Sequence, residues 1–194
     1  MTAFVLATAN PHKSEEIRAV LEPLGVKLRD RPANVPDVDE TGDTLEANAL
    51  LKARALVGAT GEASIADDTG LFVDALDGRP GVRSARFAGD TASDDDNVTK
   101  LLEALHAVPA PRLARFVTVI AVAYSDGTEF CVAGELTGVI TFARAGDQGF
   151  GYDPVFAPND GDGRTLAQLT PREKNELSHR GRALRALFEE QARR

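Results

Sequence analysis

A short apolar run that ends in two adjacent carboxylates, Ser64-Ile65-Ala66-Asp67-Asp68-Thr69-Gly70, limits what this chain can fold into. Ala63 to Ala66 reads as the end of a strand, and Gly70 permits a sharp turn that leaves both aspartates at the strand's carboxyl end. Open α/β sheets put their chemistry there. Two neighbouring carboxylates on one turn repel, so keeping both ionised in a cleft requires a cation nearby, and a hard divalent metal meets that need. The same residues also describe a solvated Asp-Thr-Gly turn. The surrounding sequence weighs between the two.

At 194 residues the chain is long enough to bury on the order of 70% of its unfolded surface without a disulfide or metal staple, and reads as a single domain over 1–194. It contains no apolar run long enough to span a bilayer and no Lys/Arg-led apolar leader, so the expectation is a soluble cytoplasmic protein with no membrane partner. The single cysteine, Cys131, excludes a disulfide framework and reads as a buried, inert thiol. A net charge of -8 argues against wrapping a nucleic-acid polymer. Only the stretch 170–194, with Arg172, Lys174, Arg180, Arg182, Arg185, Arg193 and Arg194 against Glu173, Glu176, Glu189 and Glu190, makes a basic corner that can hold a small anion.

Elsewhere the pattern is α/β. Phe4 to Ala7 reads as a buried strand, followed by Thr8-Ala9-Asn10-Pro11-His12-Lys13 and a helix with Ile17, Val20, Leu21 and Leu24 on one face, closed by Gly25. A strand-to-helix junction aims backbone N–H groups and the positive end of the helix dipole at its turn, which suits phosphate. Lys13, in the first helical turn, is unfavourable to that dipole unless an anion is bound. No Walker A or Rossmann glycine pattern occurs. A short strand at 26–28 leads into a long acidic loop, 31–43, carrying Asp37, Asp39, Glu40 and Asp43. Asp43-Thr44-Leu45-Glu46 has the form of a capping box for a helix to about Val57, on which Asn48 and Lys52 sit side by side.

Asp94, Asp95 and Asp96 fall in the first turn of a helix with Val98, Leu101, Leu102 and Leu105, where acid complements the dipole and needs no further explanation. Phe116 to Tyr124, the Asp126-Gly127 turn and a strand from Thr128 predict a hairpin, with a third strand at 138–142. In Gly149-Phe150-Gly151-Tyr152-Asp153-Pro154, glycines on both sides of Phe150 leave its ring free to lie against a planar nucleobase. Asp160-Gly161-Asp162-Gly163 lacks the spacing of a calcium loop and reads as a turn. Thr170-Pro171-Arg172-Glu173 is a capping box with proline at N1, which puts Lys174 in a first helical turn, and Ser178-His179-Arg180 precedes a terminal amphipathic helix with Leu184, Leu187 and Phe188.

Taken together, Thr8-x-Asn10-x-x-Lys13, Glu40-Thr41-Gly42, Glu46-x-Asn48-Ala49-x-x-Lys52-Ala53, Ala66-Asp67-Asp68-Thr69-Gly70, the Gly149 to Pro154 run and Ser178-His179-Arg180 resemble, in order from about residue 4 to 188, the Ham1/inosine triphosphatase family of non-canonical purine NTP pyrophosphatases. The resemblance implies an elongated mixed β-sheet flanked by helices, two lobes with a central substrate cleft, and usually a homodimer. It implies conversion of ITP, dITP and XTP to monophosphate and pyrophosphate with Mg²⁺. Position by position, the catalytic base falls on Asp68 and metal ligation on Glu40 and Asp68. Substrate contacts fall on Thr8, Ala9, Asn10, Pro11, His12 and Lys13, on Thr69, on Phe150, Gly151, Tyr152 and Asp153, and on Lys174, His179 and Arg180. Ala9 and His12 stand where bacterial members often carry glycine, and Thr69 where serine is frequent.

Lys13 and Lys52 are expected to spread the charge that builds on departing pyrophosphate. Donors from Arg180 or His179 are expected to meet a 6-oxo purine and leave adenine's amino group mismatched. Two other readings compete. Asp68-Thr69-Gly70 is also the triplet of aspartic proteases, which are mostly β, and a non-catalytic nucleotide sensor needs the phosphate and base contacts but no cluster of carboxylates.

Overall fold

The computed structural model of the chain describes residues 3–193. Its strands form one mixed sheet in the order β2-β1-β3-β5-β6-β7, with β4 attached to β3; these are β1 (Ala3–Leu6), β2 (Lys27–Arg29), β3 (Ser64–Val73), β4 (Pro80–Gly81), β5 (Leu113–Ala123), β6 (Glu129–Ile140) and β7 (Phe156–Pro158). Five α-helices accompany them: α1 (Pro11–Leu21), α2 (Leu45–Thr60), α3 (Asp94–Ala104), α4 (Pro171–Leu177) and α5 (His179–Arg193). This is not the mostly β chain that an aspartic protease requires. Among the described residues no helix is long and apolar enough to cross a membrane.

By its contacts the chain divides into two compact units, neither of them continuous in sequence. The first comprises the residues up to Asp68, Thr118–Gly134 and the chain from Arg180 on. Here β1 pairs in parallel with β2 (Phe4 opposite Leu28) and with β3 (Leu6 opposite Ile65). Phe4, Val5 and Leu6 are buried on successive faces, as a strand covered on both sides demands. Phe4, Leu6 and Ile65 pack with Ile17 and Leu21 of α1, Ile120 and Val122 of β5, and Ala183, Leu184 and Leu187 of α5. Leu24 and Phe188, also on predicted apolar stripes, are substantially exposed.

The second unit comprises Thr69–Val117 and Glu135–His179. Its core joins Leu71 and Val73 to Val98 and Leu101 of α3, Phe116, Leu136 and Ile140 of the long strands, and Val155, Phe156, Leu166 and Leu169. Pairing here is antiparallel, β4 on β3 and β7 on β6.

Several local expectations change. Asp67 and Asp68 are not on a turn: β3 continues through both to Val73, and Gly70 is a point of close approach where a Cβ would lie 2.6 Å from the Gly81 carbonyl oxygen. The two strands expected after the hairpin turn are one, β6. Its Gly138 does not break it, but admits Ala157 of β7, whose carbonyl oxygen would be 2.4 Å from an added Cβ. The α2 cap is Thr44, whose hydroxyl accepts the Ala47 N–H, rather than Asp43, and the helix runs on to Thr60. The Thr170 capping box stands as expected.

Candidate active site

Strand geometry determines what the two aspartates do. Successive strand residues face opposite sides of a sheet, so Asp67 and Asp68, both buried, meet different cations. The Asp67 Oδ2 lies 3.1 Å from the Lys13 ammonium and accepts from Arg180 Nη2 at 3.0 Å. Arg180, almost wholly buried, turns its other arm to Glu16 at 2.6 Å. Burial alone would raise the Asp67 pKa, but Lys13, Arg180 and Lys52 hold it well below the ordinary carboxylate range. Arg180 is held charged by Asp67 and Glu16 against its own burial. Lys13 is shifted down by burial, with Arg180 and Lys52 adding to it and Asp67 opposing. The anion demanded by a lysine in the first turn of α1 is thus supplied from within the chain.

On the opposite side Asp68 meets α2. Its Oδ1 accepts from Lys52 Nζ at 2.8 Å, and the same ammonium donates to Glu40 at 2.9 Å. Burial raises the Asp68 pKa; Lys52 opposes this and Glu40 adds to it. Asn48, one turn before Lys52 and fully buried, accepts the Gly42 N–H at 2.8 Å through Oδ1, which ties down the acidic loop beside Glu40. Its Nδ2 lies 3.5 Å from Asp68 Oδ2.

Asn10 caps α1 by accepting the His12 and Lys13 N–H groups, and Thr8 accepts the Asn10 N–H. Ala9, Pro11 and His12 are exposed around this cap. Lys13, Glu40, Lys52 and Asp68 therefore gather in the first unit with Asp67 and Asn48, and with Glu16, which the sequence reading left without a role. Glu16 follows Lys13 by one helical turn, but its partner Arg180 is 164 residues away, and no local pattern announces that pairing.

The second unit holds a separate group. Lys174 is buried, donates to Asp153 Oδ2 at 2.5 Å, and stands 4.6 Å above the centre of the Phe150 ring. The same Asp153 oxygen accepts the Phe150 N–H at 2.9 Å. The Tyr152 ring turns into the apolar core and its hydroxyl donates to the Ser84 carbonyl at 2.9 Å. His179 is buried and stacks on Phe116, ring centres 4.5 Å apart. Thr69 is half-buried on β3. Gly149 (φ +76°) and Gly151 (φ +60°) adopt left-handed backbone that favours glycine.

Two sequence-based expectations are revised. The Arg180 guanidinium is committed to Asp67 and Glu16 and is not positioned as a free donor for a purine edge. The basic stretch 170–194 is largely paired, within itself through Arg172 with Glu176 and Arg193 with Glu189 and Glu190, and with carboxylates elsewhere through Lys174 with Asp153 and Arg180 with Asp67, while Arg194 lies outside the described residues.

Residues 4–190 match the model of the Ham1 family. The chain belongs to the Ham1 family. It is 47% identical, over 96% of both chains, to the dITP/XTP pyrophosphatase of Streptomyces coelicolor. Among solved structures, a HAM1 protein from Coxiella burnetii matches this Ham1-family chain with a TM-score of 0.90 at 39% identity over the full length of both. The Ham1 protein of Staphylococcus aureus matches with 0.85 at 36% identity over 98% of both.

Proposed function

We propose that this Ham1-family chain hydrolyses non-canonical purine nucleoside triphosphates, the class of dITP, XTP and ITP, to the monophosphate and pyrophosphate, working as a cytoplasmic homodimer. The homodimer rests on the family resemblance, the compartment on the cysteine usage and composition of the sequence. The activity is supported by the names of its relatives, and the observation that carries it is the convergence of Glu40 and Asp68 on the single ammonium of Lys52. A nucleotide sensor has no use for paired carboxylates beside a phosphate-binding helix start.

The donor set fits Mg²⁺. Two carboxylates, Glu40 and Asp68, converge on one cationic partner, Lys52. Mg²⁺ takes one or two protein carboxylates and leaves its other positions to phosphate and water. Glu40 and Asp68 would hold the ion, which when bound supplies charge neutralisation on the phosphates and acidity to a water.

The side chains do the rest. Asp68 orients a water and takes its proton as the water oxygen attacks the α-phosphorus and the α–β anhydride bond breaks. Lys52, and Lys13 with the N-terminus of α1, stabilise the charge that develops on pyrophosphate. Asp67 and Arg180 hold Lys13 in place. In the second unit the Phe150 ring supplies a stacking face for the purine.

Asp68→Asn tests the assignment. The isostere is a poor metal ligand and no base, so kcat falls by about a thousandfold while the Kd for ITP stays within about threefold. In H₂¹⁸O the native chain places the label in the monophosphate. Near-normal kcat in the variant, or label in pyrophosphate, contradicts it.

A further inference from the structure

The acidic first turn of α3 does more than complement its dipole. Ser93 and Asp96 satisfy each other in the capping box, so the cap makes no use of Asp94. The Asp94 Oδ2 instead accepts the Gly151 N–H at 2.7 Å, 57 residues along the chain. The preceding amide, Phe150 N–H, is held by Asp153. Two consecutive amides are therefore fixed by carboxylates from two different elements, which sets the plane of the peptide joining Phe150 to Gly151. Gly151 sits at φ +60°, a conformation with no side chain of its own to hold it.

A second clamp lies just upstream. Arg144 Nη2 donates to the Asp95 carbonyl at 3.1 Å and to Thr99 Oγ1 at 2.7 Å, and pairs with the Asp95 carboxylate at 2.9 Å. The segment carrying Phe150 is thus pinned to the start of α3 at both ends.

We propose that Asp94 is a positioning residue for purine binding: by accepting the Gly151 N–H it fixes the peptide that aims the Phe150 ring. This rests on the reading that Phe150 stacks on the base. Removing the acceptor frees the peptide to rotate and lowers affinity for the base end without touching the chemistry at the phosphates.

The test is steady-state hydrolysis of ITP by the native chain, Asp94→Ala, Asp94→Asn, Phe150→Ala and the Asp94→Ala/Phe150→Ala double variant, with Tm measured for each. Asp94→Ala raises KM about tenfold, the worth of one charge-assisted hydrogen bond, and leaves kcat within about twofold. Asp94→Asn, which keeps an acceptor oxygen in the same place, restores KM to within about twofold of the native value. In the Phe150→Ala background, Asp94→Ala adds less than about twofold, because the two act through one contact. Should Asp94→Ala not fold, Asp94→Glu keeps the charge at the helix start but displaces the oxygen, and the same rise in KM is expected at native Tm.

A KM unmoved by Asp94→Ala while Phe150→Ala raises it overturns the proposal and leaves the stacking reading intact. The same KM increase with and without Phe150, or an Asn variant no better than Ala, also overturns it. A KM unmoved by Phe150→Ala overturns the stacking reading itself, and the proposal with it.

Discussion

Arg180 and Asp67, 113 residues apart, meet at 3.0 Å with almost no solvent on either side chain. The guanidinium forks between Asp67 and Glu16, and the same Asp67 oxygen receives Lys13, so one buried carboxylate holds two cations from α5 and α1. Removing one member of such a group leaves the others buried and unmatched, which costs more than the pairing contributes. Asp67→Asn is expected to destabilise the chain by about 3 kcal/mol, a fall of roughly 6–12 °C in Tm. Arg180→Lys does not substitute, because an ammonium cannot fork to two carboxylates in fixed geometry. Thermal unfolding without nucleotide checks both; a Tm within about 1 °C of native for Asp67→Asn contradicts the role given to the network.

Lys52 is the common partner of Glu40 and Asp68. Lys52→Ala is expected to lower kcat/KM for ITP about thirtyfold, in the range of a lost charge-assisted contact. The native enzyme's KM rises with salt, and the variant's rises less, because one of the screened charges is gone. Kinetics at low and high salt measure this, and unchanged kinetics would return Lys52 to a structural cation.

Cys131 lies half-buried on β6, not fully buried as the sequence suggested. Burial pushes its thiol up to about 11, with Glu46 and Glu129 adding and Arg54 opposing. Only the thiolate alkylates. In the folded chain, reaction with iodoacetamide is therefore slow at neutral pH and climbs about tenfold per pH unit without levelling until near 11, whereas in denaturant it levels near the ordinary value of about 8.5. A plateau near 8.5 in the folded protein contradicts this environment.

Much of this was legible in local sequence. Phe4 to Leu6, the helix that follows the 8–13 turn, the Thr170 capping box and the hairpin at Asp126-Gly127 follow from patterns within a few residues. What escaped was decided by distant chain. Asp67 and Asp68 read as a turn because Gly70 follows them, but that glycine accommodates the Gly81 carbonyl and the strand runs on. Gly138 read as a boundary for the same reason, when its missing side chain admits β7. Asp43 and Thr44 are both competent caps, and choosing between them turned on a single residue of register. Arg180 carried the motif of a base contact, yet its partners Glu16 and Asp67 lie far up the chain and no spacing rule connects them. Asp94 was hidden by an adequate local explanation, the helix dipole, which left its contact with Gly151 unseen.

The most direct measurement of the account is pyrophosphate release by the purified chain from ITP, dITP and XTP beside ATP and GTP, with Mg²⁺ and with a chelator. Release from the three non-canonical substrates at kcat/KM about a hundredfold or more above ATP, abolished by the chelator, is the predicted result. Orthophosphate in place of pyrophosphate, equal turnover of ATP and ITP, or full activity with the metal removed would contradict it.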